Sequence, residues 1–300
     1  RPQAVGDAAS RGRLQNDAVF VQLAGMIRWT AFMEALTRLA SLASSGSVGR
    51  IRESWAGARP LSGPTPGVTG DVLMHLTTPY GRVLIGGNGP NRYRDTTDVA
   101  LIVDLGGDDE YIGPIAAAVA GRPVAMVLDL GGNDRYDGRD RGLGSGWLGI
   151  GLLVDLDGND EYCVGAGGGG LGAAGIGVVC DAAGDDRVEA TAFSIGVGFA
   201  GIGLWLDLGG DDRYTAQAFA MGLGAASGGG ALVDAAGADH YRCGFVVPSG
   251  YNTAEHPGAK PGDRRFQYDA FGLGMGLGRR VLSGDLRDHH RWALAGGVGI

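Results

Sequence analysis

Residues 104–111 read Asp-Leu-Gly-Gly-Asp-Asp-Glu-Tyr, and the same eight-residue word returns as DLGGNDRY at 129–136 and DLDGNDEY at 155–162. It continues as DAAGDDRV at 181–188, DLGGDDRY at 207–214 and DAAGADHY at 234–241. Successive leading aspartates are 25, 26, 26, 26 and 27 residues apart, and a decayed copy, GGNGPNRY at 86–93, stands before them. Glycines between the words keep the same step: Gly144, Gly170, Gly196 and Gly222 form one column, and Gly151, Gly177, Gly203 and Gly230 another. An apolar pair precedes each word: Ile102-Val103, Val127-Leu128, Leu153-Val154, Val179-Cys180, Trp205-Leu206 and Leu232-Val233. A constant period of short glycine-punctuated apolar runs, with no amphipathic helix inside it, predicts an all-β fold: a parallel β-solenoid (β-helix) with one coil per ~26 residues. Equivalent positions then stack about 4.8 Å apart, as neighbouring strands do.

Working outward, the organisation changes at both ends. Glycine makes up 10 of residues 1–85 but 49 of residues 86–300. Val19, Leu23, Met26, Ile27, Phe32, Leu36, Leu39 and Leu42 recur at three- and four-residue spacing, so residues 1–56 are read as a small helical cap. Residues 57–82 are a Pro/Gly linker and entry, and 83–300 the solenoid, interrupted by an inserted polar loop at 245–267.

Composition limits the function classes. Glycine at 59 of 300 is far from the one-third of collagen, and 44% hydrophobic residues exclude wholesale disorder. A formal charge of −8 without a basic cluster argues against nucleic acid and suits cations or basic partners. Uncharged stretches such as 163–180 end at an acidic residue in the phase of the repeat, which membrane spans do not explain. Cys163, Cys180 and Cys243 form no CxxC pair and read as small buried hydrophobes. The glycine run at 165–177 lies inside the repeat without a following helix, so it is no dinucleotide loop.

The chemistry concentrates in the word. Its first and sixth residues are Asp in all six copies: Asp104, Asp129, Asp155, Asp181, Asp207 and Asp234, then Asp109, Asp134, Asp160, Asp186, Asp212 and Asp239. Carboxylates stacked one strand apart repel by about 1 kcal/mol per pair in water and by several times that near protein. Either cations sit between coils, or the carboxylates accept turn N–H bonds. The seventh column, Glu110, Arg135, Glu161, Arg187, Arg213 and His240, mostly alternates in sign, as cross-coil ion pairs require. The tyrosine column, Tyr111, Tyr136, Tyr162, Tyr214 and Tyr241 with Val188 in the gap, reads as core or a stacked aromatic ladder.

Gly107 to Tyr111, Gly132 to Tyr136 and Gly158 to Tyr162 resemble the G-[ND]-D-x-[LY] portion of the repeats-in-toxin motif, and the whole word resembles D-x-x-G-[DN]-D-x-Y repeats of a group of uncharacterised bacterial proteins. The first resemblance implies Ca²⁺ held between turns of a parallel β-roll, with the Asp columns as ligands, and an extracellular or cell-envelope setting; the second implies fold alone. The repeats-in-toxin family repeats every nine residues, whereas this chain carries one word per coil. No signal peptide is legible in the chain.

Two function classes follow. One is a rigid structural or interaction module, Ca²⁺-stabilised, that meets a glycan or protein surface and leaves a homo-oligomer open. The other is a carbohydrate-active enzyme, a polysaccharide lyase or hydrolase, using the solenoid groove and the 245–267 loop. That loop offers Tyr251, Glu255, His256, Asp263 and Arg264 as a binding set, since irregular loops on rigid scaffolds commonly carry binding. His289 and His290, near Asp285 and Asp288, form a second small cluster.

Overall fold

The computed structural model describes residues 24–243 apart from 95, 218, 226 and 227, together with residue 22 and short strands at 245–246, 267–268, 275–276 and 279–282. The period becomes a parallel β-solenoid. Six-residue strands at Val99–Asp104, Val124–Asp129, Ile150–Asp155, Ile176–Asp181, Ile202–Asp207 and Gly229–Asp234 run side by side in one nine-stranded sheet. Each ends on the leading Asp of a word, and the register matches Asp104 to Asp129, Asp155 to Asp181 and Asp181 to Asp207. The word itself turns the corner. Its last residues enter the strands of a second nine-stranded sheet, including Arg135–Arg139, Glu161–Val164, Arg187–Ala190, Arg213–Ala216 and Ala238–Cys243. A third side is four short strands, Gly146–Trp147, Gly172–Ala173, Gly198–Phe199 and Gly224–Ala225.

The apolar pair before each word has a two-sided purpose. Ile102, Val127, Leu153, Val179, Trp205 and Leu232 point into the core with the tyrosines. Val103, Leu128 and Val154 belong to a separate cluster on the sheet's other face. That face is covered by helix α1 (Trp29–Ala40) and helix α2 (Ser45–Trp55) through Trp29, Phe32, Leu36, Leu39, Ile51 and Trp55. A sheet buried on both faces needs continuous apolar strands, which is why pairs rather than alternation occur. Arg52 on α2 adds a bond to the Leu130 carbonyl at 2.8 Å. The helices therefore lie along the flank of the first sheet. At the leading end, Val72–Thr78 runs antiparallel to Gly81–Gly86 and closes the sheet edge.

Two glycine columns set the cross-section. Gly144, Gly170, Gly196 and Gly222 have φ between +67° and +84°, and in the first three a Cβ would overlap the carbonyl of Val178, Leu204 or Ala231. At Gly151, Gly177 and Gly203 a Cβ would overlap Ser145, Leu171 or Val197 backbone. The first and third sides approach backbone to backbone, and only glycine fits. Between the second and third sides the chain also holds Arg141, Phe193 and Phe219 at φ of 60°, 53° and 50°, in the column where Gly167 stands at +71°.

The 245–267 insertion begins and ends in paired chain, Phe245–Val246 running antiparallel to Gln267–Tyr268. Among the described residues no helix is long and apolar enough to cross a membrane.

Candidate metal centre

All twelve word aspartates are buried, none more than 3% exposed. The word's tight turn places them there. A Cβ on Gly132, Gly158, Gly184, Gly210 or Gly237 would overlap the carbonyl of the glycine one coil earlier, so position four admits no side chain. The two carboxyls of each word then project inward beside the tyrosine column.

The leading Asp residues from 104 to 207 use both oxygens. Oδ1 accepts the N–H two residues on, from Gly106 to Asp104 at 3.0 Å, Gly131 to Asp129 at 2.9 Å and Gly209 to Asp207 at 3.1 Å. Oδ2 accepts a tyrosine hydroxyl: Tyr93 donates to Asp104, Tyr111 to Asp129, Tyr136 to Asp155, Tyr162 to Asp181 and Tyr214 to Asp207. Asp234 likewise takes the Tyr241 hydroxyl on Oδ2, but its Oδ1 has no hydrogen-bond partner. Burial, with the neighbouring carboxylates, pushes the phenols of Tyr111, Tyr136 and Tyr162 well above their ordinary range, so they remain donors.

The sixth-position Asp is half used. Its Oδ1 accepts the backbone N–H of the equivalent residue one coil earlier: Asp109 to Asp134 at 2.6 Å, Asp134 to Asp160 at 2.7 Å, Asp160 to Asp186 at 2.7 Å and Asp186 to Asp212 at 2.7 Å. The fifth column runs the opposite way, with Asn133 accepting from Asn159 and Asp185 from Asp211. The expected turn N–H ladder is thus present in both columns. The second oxygens, Oδ2 of Asp109, Asp134, Asp186, Asp212 and Asp239, have no hydrogen-bond partner. Oδ2 of Asp160 has only the Tyr162 hydroxyl, at 3.5 Å.

The residues that carry these oxygens lie against other carboxylates. Carboxylate oxygens of Asp109, Asp129 and Asp134 lie within 4.8 Å of one another, as do those of Asp134, Asp155 and Asp160, and the pattern repeats three more times to Asp212, Asp234 and Asp239. Asp104 stands outside these five groups. Rows of carboxylates this close can hold metal ions. Burial first, and the adjacent carboxylates next, push Asp109 up to about 9, Asp134 to about 10 and Asp212 to about 9. Burial also raises Asp160 to about 7 and Asp186 to about 6, where backbone N–H bonds offset more of it. A buried ionised carboxylate without a partner is strongly unfavourable, so each coil needs a proton or a cation at this point. The described ion pairs use other carboxylates: Arg82–Asp98, Arg92–Glu110, Arg135–Glu161 and Arg187–Glu189. One of these, Arg135–Glu161, is a cross-coil pair of the seventh column, and Arg92–Glu110 extends that column back into the decayed first word.

The leading end of the column is closed differently. Position six of the decayed first word is Asn91, whose Nδ2 donates to Asp104 Oδ2 at 3.0 Å, and position one is Gly86, where a Cβ would overlap Asp104 and Tyr93. An amide there does the work that a proton or cation must do in later coils. Read from the sequence, the tyrosines are core or a stacked aromatic ladder; that each also supplies a donor to the Asp column is not part of that reading. The equal spacing of Asp and Tyr in every word was the signal.

The tyrosine ladder stacks at 4.8–4.9 Å from Tyr93 through Tyr162. At Val188 it is interrupted, and Trp205 fills the gap edge-on, 5.3 Å from Tyr162 and 6.3 Å from Tyr214. Tyr214 and Tyr241 then resume stacking at 5.2 Å.

Residues Tyr251, Glu255, His256, Asp263 and Arg264, like His289 and His290, lie outside the described residues. No family model, curated protein or solved structure matches the chain.

Proposed function

We propose that the chain is a rigid structural and interaction module of a secreted or cell-envelope bacterial protein, in which Ca²⁺ ions between successive coils staple the solenoid. The observation that carries this reading is the column of buried, partnerless Oδ2 atoms in groups of three carboxylates. Hard anionic oxygens from several residues suit Ca²⁺ in particular. Sharing Asp134, Asp160, Asp186 and Asp212 between two groups each would tie one coil to the next, so the ions would act as cross-links along the axis.

Metal analysis of purified protein, with thermal melts in Ca²⁺ and in chelator, tests this. Bound Ca²⁺ and a higher melting temperature in Ca²⁺ are expected, with about 2.7 kcal/mol per independent site at a hundredfold excess over Kd. Asp134→Asn sharpens the test, because its amide can donate as Asn91 does. It should stabilise the protein in chelator and weaken it in Ca²⁺. Absence of metal with identical melts in both conditions returns the column to a hydrogen-bonded turn ladder.

A further inference from the structure

The five carboxylate groups are not equivalent. In those built on Asp129, Asp155, Asp181 and Asp207, the leading Asp has Oδ1 on the N–H two residues on and Oδ2 on a tyrosine hydroxyl. An oxygen without a hydrogen-bond partner in those four groups therefore belongs to a sixth-position Asp. The last group, Asp212, Asp234 and Asp239, differs. Asp234 keeps the Tyr241 hydroxyl on Oδ2, but its Oδ1 has no partner, and neither has Oδ2 of Asp212 or of Asp239. All three residues are 0% exposed. Of the five groups in the described residues, this one alone has a partnerless buried oxygen on every member.

Carboxylate oxygens of the three residues lie within 4.8 Å of one another. Two oxygens held by one Ca²⁺ at about 2.3–2.6 Å stand no more than about 5 Å apart, so a single ion can span the group. Affinity for Ca²⁺ is tuned by the number of anionic ligands. A group with three free carboxylates is therefore favoured over one whose middle carboxyl is already engaged by two donors. Its place in the column matters as well. No word aspartate follows it, since register sets Gly276 beside Asp234 and Arg280 beside Asp239. The strand that carries Asp239, Ala238–Cys243, ends two residues before Phe245–Val246, which opens the insertion.

We propose that Asp212, Asp234 and Asp239 form the tightest Ca²⁺ site of the chain and the first to fill, and that its ion closes the trailing end of the Asp column as Asn91 closes the leading end. The ion then also fixes the strand from which the 245–267 insertion departs. The proposal rests on reading the carboxylate groups as Ca²⁺ sites and ranks them.

Calorimetric titration of Ca²⁺ into the chelator-stripped full chain tests it, with total bound metal counted separately. One tight ion followed by weaker ones is expected. Asp234→Asn should weaken the first ion by about tenfold or more, because it removes one of three anionic ligands. Asp211→Asn removes an exposed charge from the neighbouring turn position, where an amide oxygen can still accept from the Ala238 N–H, and should change the first ion by less than about twofold. Hydrogen exchange of the unmutated chain at one equivalent of Ca²⁺ locates the first ion without a variant: protection should rise in 207–216 and 234–243 before 124–164. Ions of uniform affinity, a first ion that survives Asp234→Asn, protection that rises first in 124–164, or a tight ion that appears only in Arg280→Gln overturns the proposal. Each of these leaves Ca²⁺ between coils standing wherever metal is bound, whereas no bound metal overturns both.

Discussion

Before Val188, each tyrosine reaches forward to the Asp of the next coil: Tyr111 to Asp129, Tyr136 to Asp155, Tyr162 to Asp181. After it, each turns to the Asp of its own word, Tyr214 to Asp207 and Tyr241 to Asp234. The words are nearly identical, so the difference is one of counting along the column rather than local chemistry. Gly86 removes one aspartate at the start, and Val188 removes one tyrosine in the middle. Between these two defects the pairing runs one coil out of phase; beyond the second it falls into phase. Every leading Asp from 104 to 234 keeps one hydroxyl. What the comparison teaches is that the fold protects the number of satisfied carboxylates, and lets the pairing register slip to do so.

Packing follows the same fault. Where Val188 vacates the space of a ring, Trp205 replaces the aliphatic residue found in every other copy of its column and is fully buried. Gly169, in a column otherwise occupied by Leu143, Ile195 and Met221, leaves room: a Cβ there would stand 3.2 Å from the indole. Three substitutions relative to the repeat, Val188, Trp205 and Gly169, therefore exchange volume locally and preserve core density.

The widest effect on the two regions comes from pH. In chelator, the raised folded-state values mean that the native column binds more protons than the unfolded chain above about pH 4, so stability is greatest in acid and falls as pH rises. Every raised carboxyl of the sixth column adds to the loss from about pH 4; Asp186 and Asp160, beside the fault, stop adding near pH 6 and 7, whereas Asp109, Asp212 and Asp134 go on adding to pH 9 to 10. Hydrogen exchange should show the coils around Val188 reaching their full loss of protection by about pH 7 and the coils of Asp109, Asp134 and Asp212 losing more beyond it, and Ca²⁺ should suppress the trend. Uniform opening of all coils would remove the distinction.

Next in size is Trp205→Ala, which empties the fault and should cost about 3–5 kcal/mol in urea unfolding. If it costs no more than Val179→Ala, one coil earlier in the same column, the indole is not what joins the two regions.

Smaller still is Val188→Tyr, which restores the repeat yet should destabilise by about 2–4 kcal/mol, combining overcrowding against Trp205 with a hydroxyl that finds every leading Asp occupied. Adding Trp205→Leu should recover much of that loss, since the introduced phenol can then take Asp207 and pass the unmatched hydroxyl to the trailing end. A cycle with additive energies would show the two positions to be uncoupled.

The ~26-residue period, the glycine columns and the recurring Asp-Tyr word determined the coil, its stacking and its inward carboxylates, because a solenoid repeats one set of neighbours and a single word reports all of them. Gly132 and its equivalents leave the chain no other way to pass its preceding coil. Only the tertiary structure decided which coil's Asp each Tyr serves, since the words offer both an Asp seven residues back and one 18 or 19 residues ahead, and the choice rests on packing across the stack. It alone revealed that Asn91 closes the column, that Trp205 bridges the gap at Val188, and that α1 and α2 cover the flank of the first sheet. Those outcomes depend on which volumes and hydrogen-bond donors meet across coils, and no single word carries that information.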